Sequence, residues 1–285
     1  MREALAERRE IDFYDVAQAL IGFQRSLAIT TNLILNGTVI TQAPSLKGAQ
    51  ILALPPEDGS WKFTTVVVAT IFAAAQAPQN SLIGHLLTSA YDYVVSETLG
   101  FHIDFTKTLG QQYDEIRKSR IPLEHQSQNR FDSVIEKCQT AIRDMHRPIV
   151  WSETAHSATL SSQTDPRRVP LTPTLDRRSY EYMIFTLEEN TPTEFIGRIS
   201  SYNMNTYKGR IHVDSEGRTI PFELSELARS RGDISLITRS LALNADARTR
   251  EDAYISCVGF RNTSRSGRLK SYRIIEVHEY AGGRG

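Results

Sequence analysis

Two short stretches of this chain combine residue types that stack on bases with residue types that neutralise phosphates. They read SYNMNTYKGR over 201–210 and RNTSRSGRLK over 261–270. Tyr202 and Tyr207 offer flat π-faces, and Lys208, Arg210, Arg261, Arg265, Arg268 and Lys270 offer positive charge. Aromatic rings beside a basic groove are what sequence-tolerant binding of single-stranded nucleic acid requires. Side chains alternate along a strand, so in EFIGRISSYN the residues Phe195, Gly197 and Ile199 face one way and Ile196, Arg198, Ser200 and Tyr202 the other. In YKGRIHV the same rule groups Lys208, Arg210 and His212, a set that is entirely basic or titratable. The expectation is one exposed sheet face carrying Arg198, Tyr202, Lys208 and Arg210, a stacking platform beside a phosphate-attracting strip. Single-stranded nucleic acid or a nucleotide suits such a face. The same residues have a plainer reading, because exposed barrel strands carry Arg and Lys to discourage edge pairing.

The elements that must position these residues are five strand-like runs and one helical run. Strands are predicted over 194–202, 207–213, 218–222, 254–260 and 269–277, with a helix over 223–230 and a possible extension. The order strand, strand, strand, helix, strand, strand is that of a small all-β barrel of OB type. Its usual ligand surface uses strands two and three and the loops joining strands one to two and four to five. An SH3-like barrel also fits the strands, although the helical insertion between strands three and four suits it less well.

Upstream, Asp12 caps a helix over 12–35 that Asn36-Gly37 ends. Strand-like runs follow at 38–42, 49–54 and 61–68, and helices at 81–98, 105–119 and 127–145. The last carries a continuous apolar face of Phe131, Val134, Ile135, Cys138, Ala141, Ile142 and Met145. Helices on a small antiparallel sheet make this an α+β domain over 1–148. Residues 149–192 are rich in Ser, Thr, Pro and Arg and read as a linker or irregular connection with one strand, 180–187. The barrel domain occupies 193–285.

Composition excludes several classes. With 33 basic and 33 acidic residues the chain is formally neutral, but it divides into 18 basic against 22 acidic residues up to Pro192 and 15 against 11 after it. That contrast permits phosphate affinity on the barrel without demanding it. Two cysteines build neither a disulfide framework nor a thiolate zinc site. The charged start MREALAERREIDFYD lacks the apolar core of a secretory signal, so a cytoplasmic protein is expected. No phosphate-binding loop, dinucleotide fingerprint, zinc-protease motif or nucleophile elbow occurs, which removes those well-marked enzyme classes. His102 and Asp104 in GFHIDF are the best local pair for proton transfer. Residues 63–91 contain no Asp, Glu, Lys or Arg, but their most apolar part is too short to span a bilayer. A buried strand and core helix are expected there.

At GFQRSLAITTNLILNG, APSLKGAQILALPPEDGSWK, EFIGRISSYNMNTYKGRIHV and SGRLKSYRI the chain resembles uncharacterised bacterial proteins of domain-of-unknown-function type. The resemblance covers both domains and implies that their pairing is a fixed architecture. It implies no activity and no catalytic residues, and it brings an expectation of association with mobile elements or antiviral defence. The combined expectation is a non-enzymatic binding or interaction protein without cofactor or metal. Its barrel would hold single-stranded nucleic acid or a nucleotide, and its N-terminal domain would self-associate or contact a protein partner. Two alternatives are a membrane-acting effector that inserts 63–91, and an enzyme with a dispersed site.

Overall fold

The computed structural model describes residues 11–53, 65–69, 82–101, 103–119, 123–164, 167–246, 249–264 and 267–280. The chain divides into two compact units, 1–183 and 184–285.

In the first unit, helix α1 (Phe13–Asn36) begins at Asp12, whose carboxylate accepts from the Asp15 amide. It ends at Gly37, whose φ of 64° is the left-handed geometry that glycine adopts at a helix terminus. Strands β1 (Ala49–Ala53) and β2 (Thr65–Ala69) pair antiparallel. Helices α2 (Leu82–Thr98), α3 (Gln111–Lys118), α4 (Gln128–Asp144) and α5 (Arg147–Val150) follow. The predicted apolar face of α4 is the centre of the core. Phe131, Val134, Cys138 and Ile142 pack there with Ile29 and Leu33 of α1 and Leu86, Tyr93 and Val94 of α2. Tyr93, Phe105 and Phe131 meet edge to face with centroids 5.3–5.6 Å apart, a geometry that matches the ring quadrupoles.

Several expectations are corrected here. Residues 38–42 form no strand, because the Asn32 amide on α1 donates to the carbonyl and hydroxyl of Thr38 and takes the place of a ladder partner. The segment read as a linker is folded. Strands β3 (Ala158–Thr164) and β4 (Arg167–Leu175) form an antiparallel hairpin. Leu160 and Leu171 pack against the core and Leu175 is buried in it. The strand expected at 180–187 is helix α6 (Arg177–Ile184). A reciprocal cap starts it, the Ser179 amide donating to Asp176 Oδ1 at 2.7 Å and the Asp176 amide to Ser179 Oγ at 2.9 Å.

The second unit opens with the two-residue strand β5 (Leu187–Glu188) and continues with β6 (Thr193–Asn203), β7 (Lys208–Val213) and β8 (Arg218–Leu224). Helix α7 (Arg231–Ala245) and strands β9 (Tyr254–Thr263) and β10 (Leu269–Glu279) complete it. The helix starts later than expected. Leu224 is fully buried as the last residue of β8, and the true start signal is the capping box of Ser230 and Asp233. Strands β6, β7 and β8 pair antiparallel, β8 pairs parallel with β10, β10 antiparallel with β9, and β9 antiparallel with β6. Five strands thus close into a barrel, with β5 added on β9. This is the predicted OB-type barrel, and the parallel β8–β10 pairing favours that topology over an SH3-like one. Ile199, Ile211, Val213, Ile220, Leu224, Cys257 and Ile274 fill the interior.

Candidate functional site

The β7–β8 ladder is where an OB-type barrel usually meets its ligand. Its register stacks three rows across β6, β7 and β8. Arg198 lies opposite His212 and then Thr219, Ser201 opposite Arg210 and then Pro221, and Asn203 opposite Lys208 and then Glu223. Ile211 and Val213 point into the core, so Lys208, Arg210 and His212 form the alternate, outward set of β7. The row of basic residues read from the alternation is therefore present. It spans four residue steps, about 13 Å at the rise of a strand.

The two tyrosines do not join it. A register shift between Ile199 and Ser201 interrupts the alternation of β6. Past this bulge Tyr202 stands opposite Gly209, and its ring lies parallel to Phe222 at 6.3 Å with an interplanar angle of 10°. Gly209 makes the stacking feasible. A β-carbon there would sit 2.3 Å from the Ser201 carbonyl oxygen and 2.7 Å from the Phe222 ring. Tyr207, at φ 56°, lies beneath the Arg229 guanidinium at 4.3 Å. Both tyrosines pack against the barrel core, and burial pushes the Tyr202 phenol above its ordinary value.

The remaining basic residues divide between two ends of the ladder. At the end near 204–207, Lys208 Nζ lies 3.5 Å from Glu223. At the other end, Arg261 reaches Glu189 and Glu216, each at 3.7 Å, and Arg218 donates to the Leu269 carbonyl at 2.8 Å. Arg268 is exposed, and its main chain closes the β9–β10 loop by accepting from the Ser264 amide at 2.8 Å. Lys270 turns inward, donating to the Phe185 carbonyl at 2.6 Å and to Thr186 Oγ1 at 2.9 Å, and burial pushes its ammonium down. Arg265 lies outside the described residues. The predicted set therefore surrounds the ladder rather than forming one platform.

Electrostatics on this face are decided by one carboxylate. Asp214, directly after β7, lies 3.5 Å from Arg198 and 3.3 Å from His212 Nε2. It also accepts from the Tyr254 hydroxyl, and the Arg198 guanidinium covers the Tyr254 ring at 4.9 Å. Arg198 is only 15% exposed as a result. With Glu223 beside Lys208, two of the outward cations are partly neutralised by the protein itself.

No catalytic arrangement emerges from the pair read in GFHIDF. Asp104 accepts from the Lys107 amide at 3.1 Å, the role of a helix cap, and His102 lies outside the described residues. Burial pushes the thiols of Cys138 and Cys257 up to about 12, so both are neutral core side chains. Among the described residues no group of three or more His, Cys, Asp or Glu could hold a metal ion. The segment 63–91 is described only at 65–69 and 82–91, where it supplies β2 and part of α2. Leu86 and Ala90 of α2 are fully buried in the core. Among the described residues no helix is long and apolar enough to cross a membrane. The hub role of Asp214 was missed, although HVDSEG placed a carboxylate two residues beyond His212 and carried the signal.

The fold and site define a two-part protein, a helical α+β unit followed by an OB-type barrel. Residues 4–184 match the family described as Domain of unknown function (DUF7946), and residues 191–278 match the Family of unknown function (DUF7947). The first match covers more than half of the chain, which therefore belongs to the DUF7946 family. No curated protein and no solved structure matches the chain.

Proposed function

We propose that the chain is a non-enzymatic binding protein whose barrel takes single-stranded nucleic acid or a nucleotide on the outer face of β7 and β8. The observation that carries this reading is the outward row Lys208, Arg210 and His212 on the central ligand strand of an OB-type barrel. Alternate spacing places the three groups about 6.6 Å apart, close to the separation of successive phosphates in a stretched strand. Arg268 extends the positive charge at the β9–β10 loop. Tyr202 and Tyr207 act from the rim, where an arriving base stacks only after displacing protein contacts. Because Asp214 and Glu223 offset part of the charge, the reading implies low affinity with few phosphate contacts. Anisotropy titrations of labelled single strands against wild-type protein and a Lys208→Ala/Arg210→Ala variant test it.

A second reading concerns the N-terminal unit and is supported by a different observation. Phe13, Tyr14 and Trp151 are 80%, 62% and 48% exposed, and the Arg147 guanidinium lies 3.8 Å over the Trp151 ring. Trp, Tyr and Arg are the side chains that dominate protein interfaces. We propose this patch for self-association or a protein partner, tested by sedimentation of wild type against Phe13→Ser/Trp151→Ser. Loss of any concentration-dependent association in the variant supports it, and a monomeric wild type with no partner removes the self-association arm. A reducing compartment such as the cytoplasm is supported by Cys138 and Cys257, both free and buried.

A further inference from the structure

We propose that the barrel carries a second binding site, distinct from the β7–β8 face, that docks a basic and partly apolar peptide segment of a partner protein. The site is a groove of about 1260 Å³ between α7 and the strands β6, β9 and β10. Small-molecule pockets run to about 1,000 Å³, so the groove has room for a stretch of polypeptide.

Its floor is apolar apart from Ser240, whose hydroxyl donates to the Ala253 carbonyl at 2.6 Å. Phe195, Ala253 and Ile255 are buried beneath it, and Leu236 and Leu243, two turns apart on α7, present one half-buried helix face to it. Ile196 and Tyr280 form exposed apolar walls at 39% and 44%. Its rim has the opposite character, with Glu194, Asp214, Glu251, Asp252 and Glu279 against one guanidinium, Arg239. Arg239 is already committed to Glu279 at 3.1 Å and Arg198 offsets Asp214 at 3.5 Å, so the rim's excess of negative charge rests on Glu194, Glu251 and Asp252. Glu251 and Asp252 are exposed on the turn before β9.

Charge complementarity and shape together select the occupant. A metal ion needs carboxylates converging on one point, and among the described residues no such convergence exists. Carboxylates distributed around an apolar floor instead match charges distributed along a chain, with Lys or Arg reaching the rim and apolar side chains covering Leu236, Leu243 and Ile196. The proposal does not rest on the nucleic-acid reading: the groove shares only Asp214 with the β7–β8 face, and a polyanion is repelled from the rest of its rim.

The test uses the full-length chain and a fluorescein-labelled nine-residue peptide that alternates Arg and Leu, with a Glu-for-Arg counterpart and spermine as comparators. The expected result is saturable binding of the Arg peptide at micromolar concentration, none of the Glu peptide, and weakening by about tenfold in Glu251→Gln/Asp252→Asn. An exposed off-groove control, Glu226→Gln, is expected to bind like wild type. Both altered rim carboxylates are exposed, so the fold survives the change. Absence of binding, equal binding by the double variant, or displacement of the peptide by equimolar spermine would each overturn the proposal. Dimerisation of the chain that the rim variant abolishes would overturn it too, by making a second copy the occupant.

Discussion

The Tyr254 hydroxyl donates a hydrogen bond to Asp214, and through it the first residue of β9 holds the residue that follows β7. The same carboxylate lies beside Arg198 and His212 on the basic row and lines the acidic groove on the other side. One side chain thus sets the charge of two surfaces. Removing its charge should strengthen the basic face and weaken the groove.

Asp214→Asn is therefore expected to bind single strands several-fold more tightly at low salt. Its plot of log affinity against log salt should steepen by roughly 0.7, the contribution of one additional phosphate contact. The hydrogen bonds lost or weakened by this substitution should cost about 1 kcal/mol of barrel stability. Anisotropy and urea titrations measure the two effects separately.

Gly209 is required by the Tyr202–Phe222 stack. A β-carbon at this position meets backbone at 2.3 Å, so relief demands movement of β6 itself. Gly209→Ala should destabilise the barrel by about 2 to 3 kcal/mol, read from its chemical denaturation midpoint.

Acid sensitivity of the first unit should trace in part to His146. Its ring is fully buried between the Ile142 carbonyl and Ser179 Oγ, each at 2.9 Å, and burial pushes its pKa below the ordinary 6.5. The folded state then binds fewer protons than the unfolded state as pH falls past 6.5. Stability contributed by the neutral ring is complete above that value and declines below it. Thermal melts from pH 8 to pH 5 should show a shallower decline for His146→Gln than for wild type.

Arg147 and Asp15 form the most buried ion pair described, at 2.9 Å with side chains 16% and 7% exposed. Asp15 also accepts from the Ser152 amide at 3.1 Å. Arg147→Met leaves that carboxylate buried without its cation and should cost about 3 kcal/mol. Asp15→Leu/Arg147→Met should recover much of the loss, because an apolar pair carries no desolvation cost for charge. Circular dichroism in a urea series distinguishes the three proteins.

Legibility in the sequence followed the strength of local pattern. The five barrel strands were legible because apolar and polar residues alternate in each, and α4 because Phe131 to Met145 repeat at helical spacing. The β3–β4 hairpin was not, since Ser, Thr and two prolines dominate its residues and only Leu160, Leu171 and Leu175 reach the core. Residues 180–187 read as a strand where the Asp176–Ser179 cap dictates a helix. In the site, Lys208, Arg210 and His212 were placed by alternation alone. Tyr202 was misplaced because the bulge after Ile199 reverses the alternation, and a bulge leaves no clear local signature in SSYN. The groove was invisible, its carboxylates coming from β6, β10 and separate turns that only closure of the barrel brings together.

The most direct measurement is anisotropy of a labelled single strand against wild type and Lys208→Ala/Arg210→Ala over a series of salt concentrations. Saturable binding at low salt is expected, with a log–log slope that falls in magnitude by about 1.4 in the variant, two phosphate contacts at roughly 0.7 each. A wild type that fails to bind at low salt, or a variant whose affinity and slope equal those of wild type, would contradict nucleic-acid binding on this face.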